Sequence, residues 1–296
     1  MLKRSTMSSS LPPEVLDLVF DYLRDQPTTL KACCLVSKSW VHGTRRHLFV
    51  RVELSGKSLI RSWMRAFPDP SNSQAHHARS LSIGIDAAVL TGDPDARAFI
   101  RSFHNILQLF VHTFWWDTPK VTFADFHGLS PTLTSLHLFH PSIQSSEVLD
   151  LICSFPLLED LSLQIEDLTG DLDGWVAPSA SPKLTGELLL GKRVHHVVCG
   201  LLDLPGGLHF TKITACIPVE DAELVVGLVS RCSHTLESLW IDYYPSSTFL
   251  SAFALDWYLI ATIVQAYPDC SPRLTSQKRK NLKNWRFNAA NRTSNG

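Results

Sequence analysis

Several devices that small proteins use for chemistry or anchoring are missing from this sequence. None of its seven cysteines, at positions 33, 34, 153, 199, 216, 232 and 270, forms a CxxC pair, which removes the usual zinc and dithiol spacings. Charge of one sign is lacking too. The 27 Lys and Arg stand against 28 Asp and Glu, a net charge of -1, whereas a nucleic-acid-binding chain carries a strong basic excess. The opening MLKRSTMSSS has two basic residues but no apolar run behind them, so no secretory signal is expected. An odd cysteine count then fits buried free thiols in a reducing compartment, cytoplasmic or nuclear. The longest apolar stretch, 249–267, is interrupted by Asp256 and Gln265 and predicts a buried helix rather than a membrane span. The Asn291-Arg292-Thr293 sequon is therefore not expected to carry sugar.

Enzyme signatures are also absent. There is no GxGxxG, Walker loop, HExxH or GxSxG, so neither nucleotide binding nor the common hydrolytic chemistries are predicted. His76–His77 and His195–His196 are adjacent pairs. Neighbours diverge on a strand or a helix, so neither pair predicts a metal site. The segment TGDLDG (169–174) hints at a calcium loop, but Thr169 stands where Asp is wanted and Ala180 where the bidentate Glu belongs. It reads as a turn-rich loop. No catalytic residue, metal or cofactor is expected.

What is present is an ordinary globular composition, 45% hydrophobic and 19% charged, in a chain of 296 residues that can bury a core without staples. Charge is uneven. Residues 271–296 hold seven Lys or Arg and no acid, which leaves the rest with an excess of eight acids. The run QKRKNLK reads as a solvated end, with a nuclear address or nucleic-acid contact as the sharper alternative.

Residues 1–10 are polar and predict disorder. From Leu11, LPPEVLDLVFDYLRD predicts a helix with Pro12 and Pro13 in its first positions, ended by Asp25-Gln26-Pro27. Val15, Leu16, Leu18, Val19, Phe20, Tyr22 and Leu23 wrap most of the way round it. A helix wet on one side has one apolar stripe, so a second face needs a cover. A second helical stretch, LKACCLVSKSWVHGTRRHLF, has Thr28 or Thr29 as its cap and breaks near Val36-Ser37 and again near Gly43. A bundle of about 40 residues has a thin core and is not expected to be stable alone.

Beyond residue 77 a pattern of apolar-x-x-apolar-x-apolar recurs, starting at 78, 106, 133, 158, 184, 210 and 236, with separations of 25 to 28 residues. The units run from ARSLSI (Ala78, Leu81, Ile83) to LESLWI (Leu236, Leu239, Ile241), LTGELLL at 184–190 carries one extra residue, and a last LKNWRF follows at 282–287. Each motif predicts a short strand with alternate residues turned into one core. The segments 145–156 and 219–232 between them have helical spacing. A single strand-and-return unit cannot bury its own face, so neighbours must stack. The prediction is an α/β architecture: a parallel sheet on one side, helices on the other, and an extended surface suited to a partner.

These units resemble leucine-rich repeats, with one departure. After Leu138 come Phe139, His140 and Pro141, and after Leu163 come Gln164, Ile165 and Glu166, so the family's Asn or Cys is missing and an irregular solenoid is expected. The N-terminal stretch resembles an F-box: Leu11, Pro12 and Glu14 match the opening LPxE, Leu35 through Trp40 the LVSKxW motif, and Leu48-Phe49 the closing apolar pair. Together, an F-box and degenerate leucine-rich units resemble a large class of fungal F-box proteins.

The resemblance implies boundaries of 11–50 for the F-box, 51–77 for a linker leading into the first repeat, 78–290 for the solenoid and 291–296 for a tail. It implies a substrate receptor of a Skp–cullin–F-box ubiquitin ligase, with the F-box on a Skp-type adaptor and the repeats on a protein substrate. The alternative is an interaction scaffold outside ubiquitin transfer. It also supplies an occupant for the extra helix face. Leu11 and Pro12 would anchor the adaptor, with Leu16, Val19 or Phe20, and Leu23 facing it, while Val15, Leu18 and Tyr22 pack inside. Helix phase leaves the two sets interchangeable. Val36 and Trp40 would add to the contact and Lys38 would sit on its rim. Cys33-Cys34 are expected in the module core. On the repeats, Trp115 and Trp116 in HTFWWDTP follow a predicted strand and are the candidate substrate anchor, since buried aromatics dominate hot spots.

Overall fold

The computed structural model describes residues 11–69, 73–85, 94–113, 126–127, 129–169, 172, 174–218, 221–244 and 287–289. Three helices open it: α1 (Pro13–Tyr22), α2 (Pro27–Val36) and α3 (Lys38–Leu48). Pro13 starts α1 where a missing N–H costs nothing, and Pro27 does the same for α2. The second helix therefore begins at Pro27, ahead of the expected threonine cap, with Gln26 at its N-cap. Ser37 is extended and separates α2 from α3, its Oγ accepting from the Ser39 N–H at 3.3 Å. The break expected at Gly43 is not there. Helix α3 runs through it, because α1 packs on this turn. A Cβ on Gly43 would lie 2.7 Å from the Phe20 ring, so glycine serves close approach here rather than a kink.

From Arg51 onward the chain repeats a strand and a return. The strands are β1 (Arg51–Ser55), β2 (Ser80–Ile85), β3 (Gln108–Thr113), β4 (Ser135–Gln144), β5 (Asp160–Thr169), β6 (Glu187–Leu190), β7 (Lys212–Pro218), β8 (Ser238–Tyr244) and β9 (Phe287–Ala289). They form one nine-stranded sheet in chain order, and every neighbouring pair is parallel. The returns carry α4 (Lys57–Ala66), α5 (Pro94–Arg101), α6 (Ser145–Cys153), α7 (His195–Leu202) and α8 (Ala222–Arg231). The segment read as a linker, 51–77, holds β1, α4 and a 3-10 turn at Gln74–His77.

Register explains the recurring motif. Leu81, Leu109, Leu136, Leu161, Leu188, Ile213 and Leu239 lie in one row across the sheet, and Ile83, Val111, Leu138, Leu163, Leu190, Ala215 and Ile241 in the next. All are buried. Val52 and Leu54 of β1 begin the same two rows. Each fully buried aliphatic side chain contributes about 1.5–3 kcal/mol, but only because the units on either side cover it. Before each strand a backbone N–H bonds back to the previous unit: Leu107 to the Arg79 carbonyl at 2.7 Å, Thr134 to Leu107 at 2.9 Å, Glu159 to Thr134 at 2.8 Å and Glu237 to Thr211 at 2.7 Å. Ser130 and Thr132 hydroxyls add bonds to the Ile106 carbonyl. These bonds satisfy backbone groups ahead of each strand without an asparagine ladder.

The extra residue in LTGELLL is accommodated locally. The Glu187 N–H donates to the Asp160 carboxylate at 2.7 Å instead of to a backbone carbonyl. A methyl on Gly186 would overlap that same carboxylate. β6 is correspondingly the shortest of the strands from β1 to β8, at 4 residues.

Candidate functional site

The N-terminal helices form a small core around Phe20, which is 1% exposed. Its ring stands edge-on to Trp40 at 5.8 Å and tilted to His47 at 6.2 Å. Leu30 on α2 is fully buried beneath. Thr44 is buried as well; its hydroxyl donates to the Trp40 carbonyl at 2.7 Å and pairs with Cys34 Sγ at 2.9 Å. Cys33 and Cys34 are half-buried. The module is anchored to the sheet by aromatic packing: Phe49 meets Trp63 at 5.4 Å and Phe67 at 6.1 Å, and Trp63 meets Phe103 at 5.9 Å.

What this core leaves outside is unusual for a helical surface. Leu18 is 69% exposed, Tyr22 83%, Leu35 89% and Val36 65%, and Leu11, Val15 and Val19 are exposed too. Scattered apolar residues on a surface need no explanation. Seven large ones within 26 residues of sequence make this surface the candidate interaction site of the module.

The structure chooses between the two interchangeable helix faces. Leu11, Pro12, Val19, Val36 and Lys38 are exposed, Leu16, Leu23 and Trp40 half-buried, and Phe20 is buried. The assignment of Phe20 to a partner is thus corrected: Phe20 fills the space left by Gly43. The converse correction applies to Val15, Leu18 and Tyr22, which lie outside. Leu35 is the most exposed large apolar residue of the set, and sequence reading passed over it. A signal existed. With Leu30 buried, the positions three and four residues on, Cys33 and Cys34, share its face, and Leu35 falls off it.

The second surface is the outer face of the sheet, where two ring pairs stack across β3 and β4. Phe110 lies parallel to His137 at 4.2 Å, and His112 to Phe139 at 4.8 Å. The rings of Phe110 and His112 are themselves nearly parallel along β3, with centroids 6.4 Å apart and planes 5° from each other. Burial pushes the pKa of His112 down, against an opposing pull from Glu53. It pushes that of His137 down as well, with Asp160 opposing and His112 reinforcing. Trp115 and Trp116 lie outside the described residues, as do half of TGDLDG, the apolar stretch 249–267 and the basic run 278–283.

The two histidine pairs do not diverge as expected. The rings of His76 and His77 are 3.9 Å apart, because a 3-10 turn holds them, and those of His195 and His196 are 5.2 Å apart at the start of α7. Among the described residues, no group of three or more His, Cys, Asp or Glu is placed to hold a metal ion. Burial raises the Cys153 and Cys232 thiols to about 11 and lifts those of Cys199 and Cys216, so at neutral pH these four are thiols and not nucleophilic thiolates. No described helix is long and apolar enough to cross a membrane.

Comparison with known families bears on the first surface. The F-box-like family model matches residues 8–52, a span that contains the whole exposed apolar set. No curated protein matches the chain. The N-terminal helices are an F-box-like module, and F-box domains in general bind Skp-type adaptors.

Proposed function

We propose that this protein is a non-enzymatic substrate receptor of a Skp–cullin–F-box ubiquitin ligase. The F-box-like module docks on a Skp-type adaptor, and through it on a cullin. The stacked strand units form a degenerate leucine-rich-repeat-like solenoid that holds a protein substrate. The observation that carries the reading is the exposed apolar surface of α1 and α2, Leu18, Tyr22, Leu35 and Val36 above all, inside a segment that matches an F-box-like family. Their side chains find no cover within the module and gain it on docking. The solenoid reading is supported by strands that add to one parallel sheet in chain order with a period of 25 to 28 residues.

A second reading has one observation in its favour. The module also closes the first unit of the sheet, through Phe49 on Trp63 and His42 facing His77 at 6.3 Å. It could therefore serve only as a cap. That accounts for Phe49 and leaves Leu18 and Leu35 unexplained.

The test is affinity purification of the full chain followed by mass spectrometry, comparing wild type with Leu18→Asp plus Leu35→Asp. Recovery of a Skp-type adaptor with wild type alone supports the proposal. No adaptor with either protein leaves the cap reading. Cullin in the same eluate, and ubiquitin on a trapped partner, separate a ligase receptor from a scaffold.

A further inference from the structure

Charge changes sign along this chain. Residues 26–85, which run from α2 through β2, hold nine Lys or Arg and four His against two acids, Glu53 and Asp69. Outside this stretch and residues 271–296, 11 Lys or Arg stand against 26 acids. Part of the basic stretch converges on the seam where the N-terminal module meets the first units of the sheet.

Helix α3 divides its side chains between two sides. Gly43 and His47 meet α1, at Phe20 and Asp21, and Thr44 meets Cys34 of α2. His42 and Arg46, four residues apart and so on one face, are exposed. The ring of His42 stands edge-on to that of His77 at 6.3 Å. The 3-10 turn brings His76 to His77 with ring centroids 3.9 Å apart. Arg79, also exposed, follows the turn directly before β2. Its Nη1 donates to the Asn105 carbonyl at 3.1 Å, and Asn105 Nδ2 donates to the His76 carbonyl at 3.1 Å. The guanidinium is thus held at the turn by a neutral group. His76 Nδ1 likewise donates to a neutral oxygen, the Ser73 carbonyl, at 2.6 Å.

No carboxylate answers these cations. Among the described residues, neither Arg46 nor Arg79 has an ion pair. Two acids of the N-terminal module are engaged elsewhere, Asp21 with His47 and Asp25 with Arg24 and Arg51. Burial, followed by the charges of His76, His42, Arg46 and Arg79, lowers the pKa of His77. All four of those charges are positive, and neither Glu53 nor Asp69 is among them. Like charges gathered in one place repel until an anion joins them.

We infer that this seam is a docking site for a short acidic segment of a protein partner, whose carboxylates pair with Arg46 on α3 and Arg79 before β2, beside His42, His76 and His77. Guanidinium groups suit carboxylates because their fork of donors matches the two oxygens. The remainder of the chain favours a short ligand. An extended polyanion such as a nucleic acid meets, beyond the seam, units rich in acid, which repel it. The inference goes beyond the ligase reading and does not rest on it, since the exposed apolar set lies at and before α1 and on α2.

The experiment titrates the full-length protein with acetyl-hexaglutamate amide, following the ring resonances of His76 and His77 by NMR. Acetyl-hexaglutamine amide, of the same length without the charge, and hexathymidylate are the comparison probes. A saturable shift with hexaglutamate and none with hexaglutamine is expected. Bound carboxylates should raise the titration midpoint of His77, because they offset the repulsion around it. Binding should weaken at least tenfold in Arg46→Gln plus Arg79→Gln. It should weaken by as much in Arg46→Glu alone, a change at an exposed side chain with no ion pair to lose. No saturable shift, an equal response to hexaglutamine, an unmoved His77 midpoint, or undiminished binding in both variants would overturn the inference. Tighter binding of hexathymidylate than of hexaglutamate would overturn it too, and give the seam to nucleic acid.

Discussion

Leu18→Asp plus Leu35→Asp is the perturbation that separates packing from docking in the N-terminal module. Both side chains project from the module, Leu18 from α1 and Leu35 near the end of α2. Folding buries little of either, so stability should move by no more than about 0.5 kcal/mol per site. Docking would bury both. A well-placed apolar anchor is worth about 2 kcal/mol when truncated, which at about 1.4 kcal/mol per tenfold is near 30-fold in affinity. Two such positions should weaken adaptor binding roughly 1,000-fold if they act independently. A charge set into the interface adds to the loss. Phe20→Ala supplies the contrast. Its ring is buried against Trp40 and His47, and removing it should cost about 3–5 kcal/mol of folding stability. Binding measured by isothermal titration calorimetry against a Skp-type adaptor, beside thermal melts of each variant, distinguishes the two. If the double variant binds normally, or melts as early as Phe20→Ala, the division into an inner and an outer face is wrong.

Three further outcomes follow from particular contacts. Gly43→Ala should lower the melting temperature, because a methyl 2.7 Å from the Phe20 ring costs about 1–3 kcal/mol of overpacking against about 1 kcal/mol gained in helix propensity; a rise would mean that Phe20 shifts aside freely. Ser130→Ala should destabilise by roughly 1–2 kcal/mol in denaturant melts, since its buried hydroxyl donates to the Ile106 carbonyl at 2.8 Å; an unchanged midpoint would show that Thr132 takes over. The pKa values of His112 and His137 are lowered in the fold, so the unfolded chain takes up their protons first. Their contribution to stability is therefore complete above the ordinary histidine value of about 6.5 and is lost as pH falls from there towards the folded values. His137→Phe should flatten the fall in melting temperature between about pH 7 and pH 5, and an unaltered pH profile would assign the effect elsewhere.

Much of the second part of the chain is legible without coordinates. The apolar-x-x-apolar-x-apolar motif states its own physics. Its last two apolar positions become two continuous rows across the sheet because neighbouring strands pair in register. The helices at 145–156 and 219–232 are found as α6 and α8 because helical periodicity is local. Where the reading failed, contacts distant in sequence decided. Glycine at 43 looks like a helix breaker until Phe20 is placed against it. His76 and His77 look divergent until a 3-10 turn brings their rings together. The ring stack of Phe110 and His137 joins residues from two motifs, and no pattern within either motif announces it.

By itself the sequence determined the period, the rows that point inward and the presence of an N-terminal helix with more apolar surface than one face can hide. Only the tertiary structure decided which side of that helix is free. Leucines, valines and aromatics occupy both sides of α1, so the hydrophobic effect, which is non-directional, gives neither side an advantage in one dimension. Shape does. The α3 turn at Gly43 and Thr44 leaves room for one ring, Phe20 takes it, and the helix phase so fixed turns Leu18 and Tyr22 outward.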